Sequence, residues 1–360
     1  MKKYMKFLFI APRFHTNQHF WVKMLLDRGH EVRFWVWRKE ITENYTIITP
    51  DFIDPLFGKR RDMTKEKITW EFPNPVRMWR KMCVFNPDIV IVRDPMSYLF
   101  VFIGMLISRF QGRKVVIYSQ TPLHKSVSLA RGIVVRIIMT LFANSWITPV
   151  LGDIGKFRKF HPRAFYVPLA VEPLQVKHTI ENMLRVLCVG KLYLPKKRHL
   201  LLLEAIKDLK NVQVTFIGFL GSRNPEYLSL MKEYIAKNEL TERVKIIADI
   251  SHQDTLQEYG KYDVFILAGS EPLAYSVLEA IAAGLPVICS VGNGARWYVE
   301  EGRNGYVFRE DSAPDLREKI RMLDTDRTLL ARMQVESKRL ADSTYTPDAI
   351  YPKMMEAVYG

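Results

Sequence analysis

The sequence predicts an α/β protein of two doubly wound, Rossmann-like domains that follow one another along the chain. Three observations carry this. The 360 residues leave room for two cores, since a domain takes roughly 100–200 residues. Short runs rich in Val, Ile and Leu alternate with helical patterns through the whole chain, which signals βαβ units and parallel sheets. The stretch VPLAVEP at 167–173 puts two prolines around an extended segment. A boundary there gives an N-terminal domain over 1–170 and a C-terminal domain over 171–346, with the tail 347–360 returning to the first domain.

In the first half, residues 7–11 read as a strand, 20–28 as a helix stopped by Gly29, and 31–36 as the next strand. The runs 88–92 and 114–119 are further strands. In the second half, strands are expected at 185–189, 212–218, 244–248, 264–267 and 286–290. Helices are expected at 199–209, 226–237 and 271–283. The tail places Ile350, Met354, Met355 and Val358 at helical spacing. A ligand cleft is expected at the strand C-termini between the domains.

Composition narrows the function classes. Hydrophobic residues make up 48% and charged residues 25%, which is ordinary for a globular chain. The three cysteines, Cys83, Cys188 and Cys289, are far apart and lack metal-ligand spacing. Each neighbours an apolar residue and is expected to be a small buried hydrophobe in a reducing compartment. The start, MKKYMKFLFIAPRF, is basic but too short in its apolar part for a signal-peptide core. No charge-free apolar stretch reaches the roughly 18 residues of a membrane span.

Charge is unevenly spread. Residues 1–170 hold 28 Lys+Arg against 12 Asp+Glu, a net +16, while 171–360 hold 25 against 26, a net −1. An anionic partner of the N-terminal half is implied.

The densest information lies in 269–287, GSEPLAYSVLEAIAAGLPV. It reads as a turn leaving a strand, then a helix from Ser276 to Ala283, capped by Gly284 with Pro286 beyond. Such a junction offers unsatisfied backbone N–H groups to a diphosphate. Glu271 on the turn can face a sugar. Glu279, two helical turns along, can accept hydrogen bonds from ribose hydroxyls. Taken singly, Glu271 reads more readily as a capping carboxylate and Glu279 as a solvated helix residue.

This stretch resembles the E-x7-E signature of family 4 glycosyltransferases, followed by the tail Ala280, Ala282, Gly284, Pro286 and Val287. The next segment, GNGARWYVEEGRNGYVF, resembles the family's glycine-rich turn and E-x-G-x-N-G loop, with Gly292, Gly294, Glu301, Gly302, Asn304 and Gly305. Upstream, VGKLYLPKKRHLLLLEA resembles its phosphate-contacting segment. The likeness covers about residues 185–310. It implies the GT-B fold, with two Rossmann-like domains facing a central cleft, and a retaining, metal-independent sugar transfer from a nucleotide-sugar donor without a cofactor. Glu271, Lys191 and Lys197 would be catalytic, the lysines holding the diphosphate and stabilising the leaving group. Donor binding would fall to Gly190, Lys196, Ile250, Leu273, Ala274, Tyr275, Ser276 and Glu279.

The chain departs from the family at several points. Lys191 stands where an arginine is usual, so bidentate phosphate contact gives way to a point charge. Arg198 and Ala274 each stand in place of a glycine. In the N-terminal half, Asn17, Gln18, Gln120 and His124 are the acceptor-side candidates. A sugar-nucleotide epimerase of the same fold, or a non-catalytic nucleotide-sugar-binding protein, remains open on these residues.

Basic residues also lie beside aromatic and apolar ones: Lys59, Arg60 and Arg61, then Arg77, Trp79, Arg80 and Lys81, then Arg131 and Arg136 within the apolar pattern 126–143. They suggest a peripheral membrane face, although a core helix with two surface arginines explains 126–143 equally well. The absence of any nucleic-acid motif disfavours a nucleic-acid partner. The expected setting is the cytoplasmic face of the cell membrane, with a lipid-linked or glycan acceptor.

Overall fold

The computed structural model describes residues 4–39, 43, 45–57, 72–176, 178–179, 181–220, 225–271 and 273–359. It divides into two compact units: residues 1–170 with 347–360, and residues 171–346.

The first unit contains β1 (Lys6–Ala11), α1 (Thr16–Asp27), β2 (Glu31–Val36), β3 (Asp51–Phe52), α2 (Pro75–Phe85), β4 (Ile89–Arg93), α3 (Leu99–Phe110), β5 (Lys114–Tyr118), α4 (Leu129–Leu141), β6 (Ser145–Thr148) and β7 (Ala164–Tyr166). Its strands form one sheet in the order β3-β2-β1-β4-β5-β6-β7. β1 pairs in parallel with β2 on one side and β4 on the other. Every β1 residue after Lys6 is buried, the signature of a parallel strand covered by helices on both faces. Local signals fix α2: Asn74 accepts from the Arg77 amide, Pro75 opens the helix, and Asn86 closes it in the left-handed region.

The second unit contains β8 (Leu184–Val189), α5 (His199–Ile206), β9 (Val212–Gly218), α6 (Pro225–Lys237), β10 (Val244–Ala248), α7 (His252–Glu258), β11 (Val264–Leu267), α8 (Tyr275–Ala282), β12 (Val287–Ser290), β13 (Gly305–Phe308), α9 (Ala313–Thr325) and α10 (Arg327–Leu340). Its parallel sheet runs β10-β9-β8-β11-β12-β13. A final helix, α11 (Pro347–Tyr359), rests on α1, β6 and β7 of the first unit. It buries Ile350, Met354, Met355 and Val358 and sets the Tyr351 hydroxyl 2.8 Å from His30 Nε2.

Strand order reverses between β1 and β4 in the first sheet and between β8 and β11 in the second. In such sheets the crevice beyond the strand C-termini at the reversal is where ligands bind.

Some sequence expectations shift. α1 begins at Thr16 rather than residue 20, and α8 begins at Tyr275 rather than residue 271. Cys188 and Cys289 are buried, but Cys83 is exposed. The reason is helical phase: α2 buries Met78, Met82 and Phe85, and Cys83 falls on the opposite side.

Candidate active site

The site of the second unit is built on the two loops at its strand reversal, after β8 and after β11. Gly190 ends the first strand, and a single helical turn at Pro195–Lys197 follows. Gly269 lies beyond β11. A Cβ there would run into the Lys196 carbonyl, so glycine lets the two loops touch. Across this contact the Lys197 ammonium lies 2.8 Å from Glu271 Oε2. The two side chains are only 9% and 12% exposed. A Cβ at Gly190 would meet Lys197 Cε and Nζ at 3.1 Å, so this glycine too makes room for the ammonium.

The turn carrying Glu271 is stitched from the far side. Gly294 N–H donates to the Glu271 carbonyl at 2.6 Å, and Asn293 Nδ2 donates to the Gly269 carbonyl at 2.7 Å. In the loop that follows, Asn304 accepts from the Glu300 amide and donates to the Tyr298 carbonyl. It shapes that loop from within.

α8 starts after Ala274, whose side chain makes no cap hydrogen bond, and the Val277 N–H donates to the Ala274 carbonyl at 3.3 Å. Leu273, Ala274 and Tyr275 are buried there, and the Ser276 hydroxyl reaches the Val189 carbonyl at 3.4 Å. Ala283 N–H and Gly284 N–H close the other end on Glu279 and Ile281, with Gly284 at φ +80°.

Glu279 is 5% exposed. Its Oε1 lies 2.6 Å from His252 Nε2, and its Oε2 accepts from the Tyr259 hydroxyl at 3.0 Å. The hydrogen bond to Glu279 is the main influence raising the His252 pKa, against a smaller opposing effect of burial. Burial, with Glu279 adding to it, keeps Tyr259 and Tyr275 protonated well past the ordinary phenol range. Each carboxylate oxygen thus has one fixed partner and lone-pair capacity to spare.

Neither His252 nor Tyr259 stood out in the sequence. Both reach Glu279 from other elements, 27 and 20 residues away. Ile250 precedes His252 by two, on the turn between Asp249 (φ +58°) and Ser251, which caps α7.

Lys191 is half-buried, its ammonium 5.9 Å from the Tyr193 ring centre. Lys196 is exposed, unlike Lys197. Arg198, in the left-handed region, pairs with Asp311 at 2.9 Å.

In the first unit, Asn17 and Gln18 lie in the first turn of α1, both buried. The Asn17 amide donates to His15 Nδ1 at 3.1 Å. Gln120 is half-buried in the loop after β5. His124 Nδ1 lies 2.9 Å from the Phe157 carbonyl, so this ring holds a neighbouring loop.

Among the basic residues, Lys59, Arg60 and Arg61 lie outside the described residues. Arg77, Trp79, Arg80 and Lys81 are exposed on α2, and Arg77 pairs with Asp54 at 3.0 Å. α4 buries Val135, Ile138 and Met139 but exposes Leu129, Ile133, Val134, Ile137 and Leu141 beside Arg131 and Arg136. Gln111 Nε2 donates to the Trp79 carbonyl and Arg109 Nε to the Leu141 carbonyl, each at 3.1 Å. These bonds tie α2, the end of α3 and α4 together, and Phe110, between Arg109 and Gln111 in sequence, is exposed. No helix among the described residues is long and apolar enough to cross a membrane.

Two parallel, helix-covered sheets of seven and six strands define the GT-B fold. Residues 172–340, just under half of the chain, match the family model described as Glycosyl transferases group 1. The chain is 32% identical over 168 residues to Spore coat protein SA of Bacillus subtilis, covering 44% of each. It is 28% identical to the lipopolysaccharide core biosynthesis glycosyltransferase LpsE of Rhizobium meliloti, over 27% of this chain and 29% of LpsE. The chain thus aligns with less than half the length of either relative. Among solved structures, Anabaena Alr3699/HepE in complex with UDP and glucose shares the fold at TM-score 0.70 and 16% identity, over 99% of this chain and all of that one.

Proposed function

We propose that the protein is a retaining, metal-independent glycosyltransferase of family 4. It transfers a sugar from a nucleoside diphosphate sugar to a lipid-linked or glycan acceptor in cell-surface glycan synthesis. The carrying observation is the Lys197–Glu271 pair at the loop crossing before α8, with Glu279 of α8 anchored at both oxygens. In this reading the first amides of α8, Lys197 and Lys191 hold the diphosphate, and Glu279 holds the ribose. Lys197 stabilises the charge that grows on the leaving diphosphate. Glu271, already beside that cation, meets the sugar. The departing phosphate oxygen takes the acceptor proton, so no protein nucleophile is required. UDP binding by HepE and the glycosyltransferase description of LpsE support the donor class.

The same reading places the protein on the inner face of the cell membrane. It rests there on the apolar and basic surface of α2 and α4, near its acceptor.

Two measurements test the donor reading. A panel of nucleoside diphosphates should raise the melting temperature, with one base favoured. A ligand at 100 times its dissociation constant adds about 2.7 kcal/mol of stability. Transfer from the matching radiolabelled donor should persist in EDTA. No shift with any nucleotide, or activity that vanishes in EDTA and returns with Mg²⁺, contradicts it.

A further inference from the structure

The strand reversal of the first unit carries its own cluster of polar side chains, set on α1, the end of β4 and the turn after it. Gln18 comes from the first turn of α1 and is fully buried. Its Oε1 lies 3.5 Å from Arg93 Nη1, while its Nε2 has no hydrogen-bond partner. Arg93 ends β4, with its guanidinium 5.6 Å from the centre of the buried Tyr118 ring at the end of β5. Arg93 Nε lies 3.5 Å from Asp94 Oδ2. Asp94 sits at φ +49°, a left-handed conformation costly for a side-chain-bearing residue. The turn holds it there: Asp94 N–H donates to the Tyr118 carbonyl, and Ser97 N–H donates to the Asp94 carbonyl, each at 2.9 Å.

Four properties converge. The position is the switch point of a parallel sheet, where ligands bind. A fully buried amide donor is unmatched, which native interiors seldom tolerate without a ligand or water. The acidic residue holds a left-handed backbone, as residues at functional sites often do. That acid keeps 32% of its side chain open, while desolvation raises its pKa.

We propose that Gln18, Arg93 and Asp94 form a binding site for the hydroxyl groups of a neutral sugar ring. The charges decide the class: one guanidinium and one carboxylate cancel, so the site has no net attraction for a phosphate. An amide donor, a cation's N–H groups and a carboxylate acceptor suit adjacent hydroxyls, each of which both donates and accepts. Gln18 Nε2 and Arg93 donate to one oxygen, and Asp94 accepts from the next. This rests on the glycosyltransferase reading only in taking that ring to be part of the acceptor.

The test is saturation-transfer NMR on the full chain with a panel of methyl hexopyranosides, with inorganic phosphate as competitor. At least one glycoside should receive saturation, and phosphate should not displace it. The signal should be lost in Gln18→Glu, which keeps the size and the Arg93 contact but removes the donor. It should also be lost in Asp94→Asn, a change at a partly open side chain, while both variants keep the UDP-induced melting shift of the parent. No saturation of any glycoside, a signal unchanged in both variants, or displacement by phosphate overturns the site. Glycoside binding with no response to any nucleotide would instead remove the donor reading and leave this site standing.

Discussion

The two sheets reverse their strand order in the same way, yet their carboxyl edges are furnished differently. In the second unit both signature carboxylates are matched within the protein. Glu271 faces Lys197 at 2.8 Å, and Glu279 holds His252 and Tyr259 at 2.6 and 3.0 Å. In the first unit the Arg93–Asp94 contact is looser, at 3.5 Å, and Gln18 Nε2 is unmatched. Surfaces differ in the same sense: no net charge in the second unit, residues 171–346, against +15 and an exposed apolar helix face in the first, residues 1–170 with 347–360. The lesson is that the second unit is organised in advance for a fixed chemical group. The first leaves valences for a ligand and a surface to complete.

Breaking the nearly buried Lys197–Glu271 ion pair should cost most. Lys197→Met leaves Glu271 nearly buried without its cation. Removing one partner of a buried pair costs about 3–5 kcal/mol, so the melting temperature should fall well below that of the Lys197→Met/Glu271→Gln double variant. Turnover should fall about 100-fold or more in either, as when a preorganised electrostatic group is lost. A single variant as stable as the double one would mean the pair is not preorganised. Next in size, Glu279→Gln should weaken nucleotide binding by roughly 1.5–3 kcal/mol, the worth of hydrogen bonds to a charged group. Calorimetry with the nucleoside diphosphate that the panel selects and with its 2′,3′-dideoxy form separates the causes: the dideoxy nucleotide should bind parent and variant alike.

What the sequence made legible follows the same division. The turn, helix and cap of 269–287 could be read because their determinants lie within a few residues: glycine at the loop crossing, a helical pattern, then Gly284 and Pro286. The strands β1, β8 and β9 were plain as largely apolar runs with buried residues on both faces. β3 and β7 are two and three residues long and carry no periodicity to find. Lys197 meets Glu271 across 74 residues, and Arg93 meets Gln18 across 75. A motif guided the first pairing and nothing guided the second. His252 was hidden for the same reason: its identity matters only through Glu279 on another helix.

The surface contrast gives a smaller but separable effect. Arg131→Glu/Arg136→Glu should weaken binding to anionic vesicles about tenfold or more, since each basic residue near such a surface contributes about 1 kcal/mol. The same reversal at Lys207 and Lys210, exposed on the second unit, should change nothing. Co-sedimentation at low and high salt decides it. Equal losses from both double variants would show that net charge, rather than the α2–α4 face, does the binding.

The smallest expected effect concerns the clamp on Glu279. Its hydrogen bond to Glu279 raises the His252 pKa above the ordinary value of about 6.5. A histidine whose pKa is higher folded than unfolded stabilises the fold fully below the unfolded value. That stabilisation is lost as pH rises through the folded value. The His252 side chain is half open to solvent, so screening leaves the pair worth no more than a surface ion pair, about 0.2–1 kcal/mol. His252→Gln should therefore melt about 1–3 °C below the parent at pH 5.5, and the gap should close by pH 9. Asp94→Asn on the other sheet should show no such closing gap across this range, because histidine protonation is not what holds that turn. A pH-independent deficit in His252→Gln would mean that the imidazole holds Glu279 as a neutral donor. The contrast between the two edges would then be one of geometry alone.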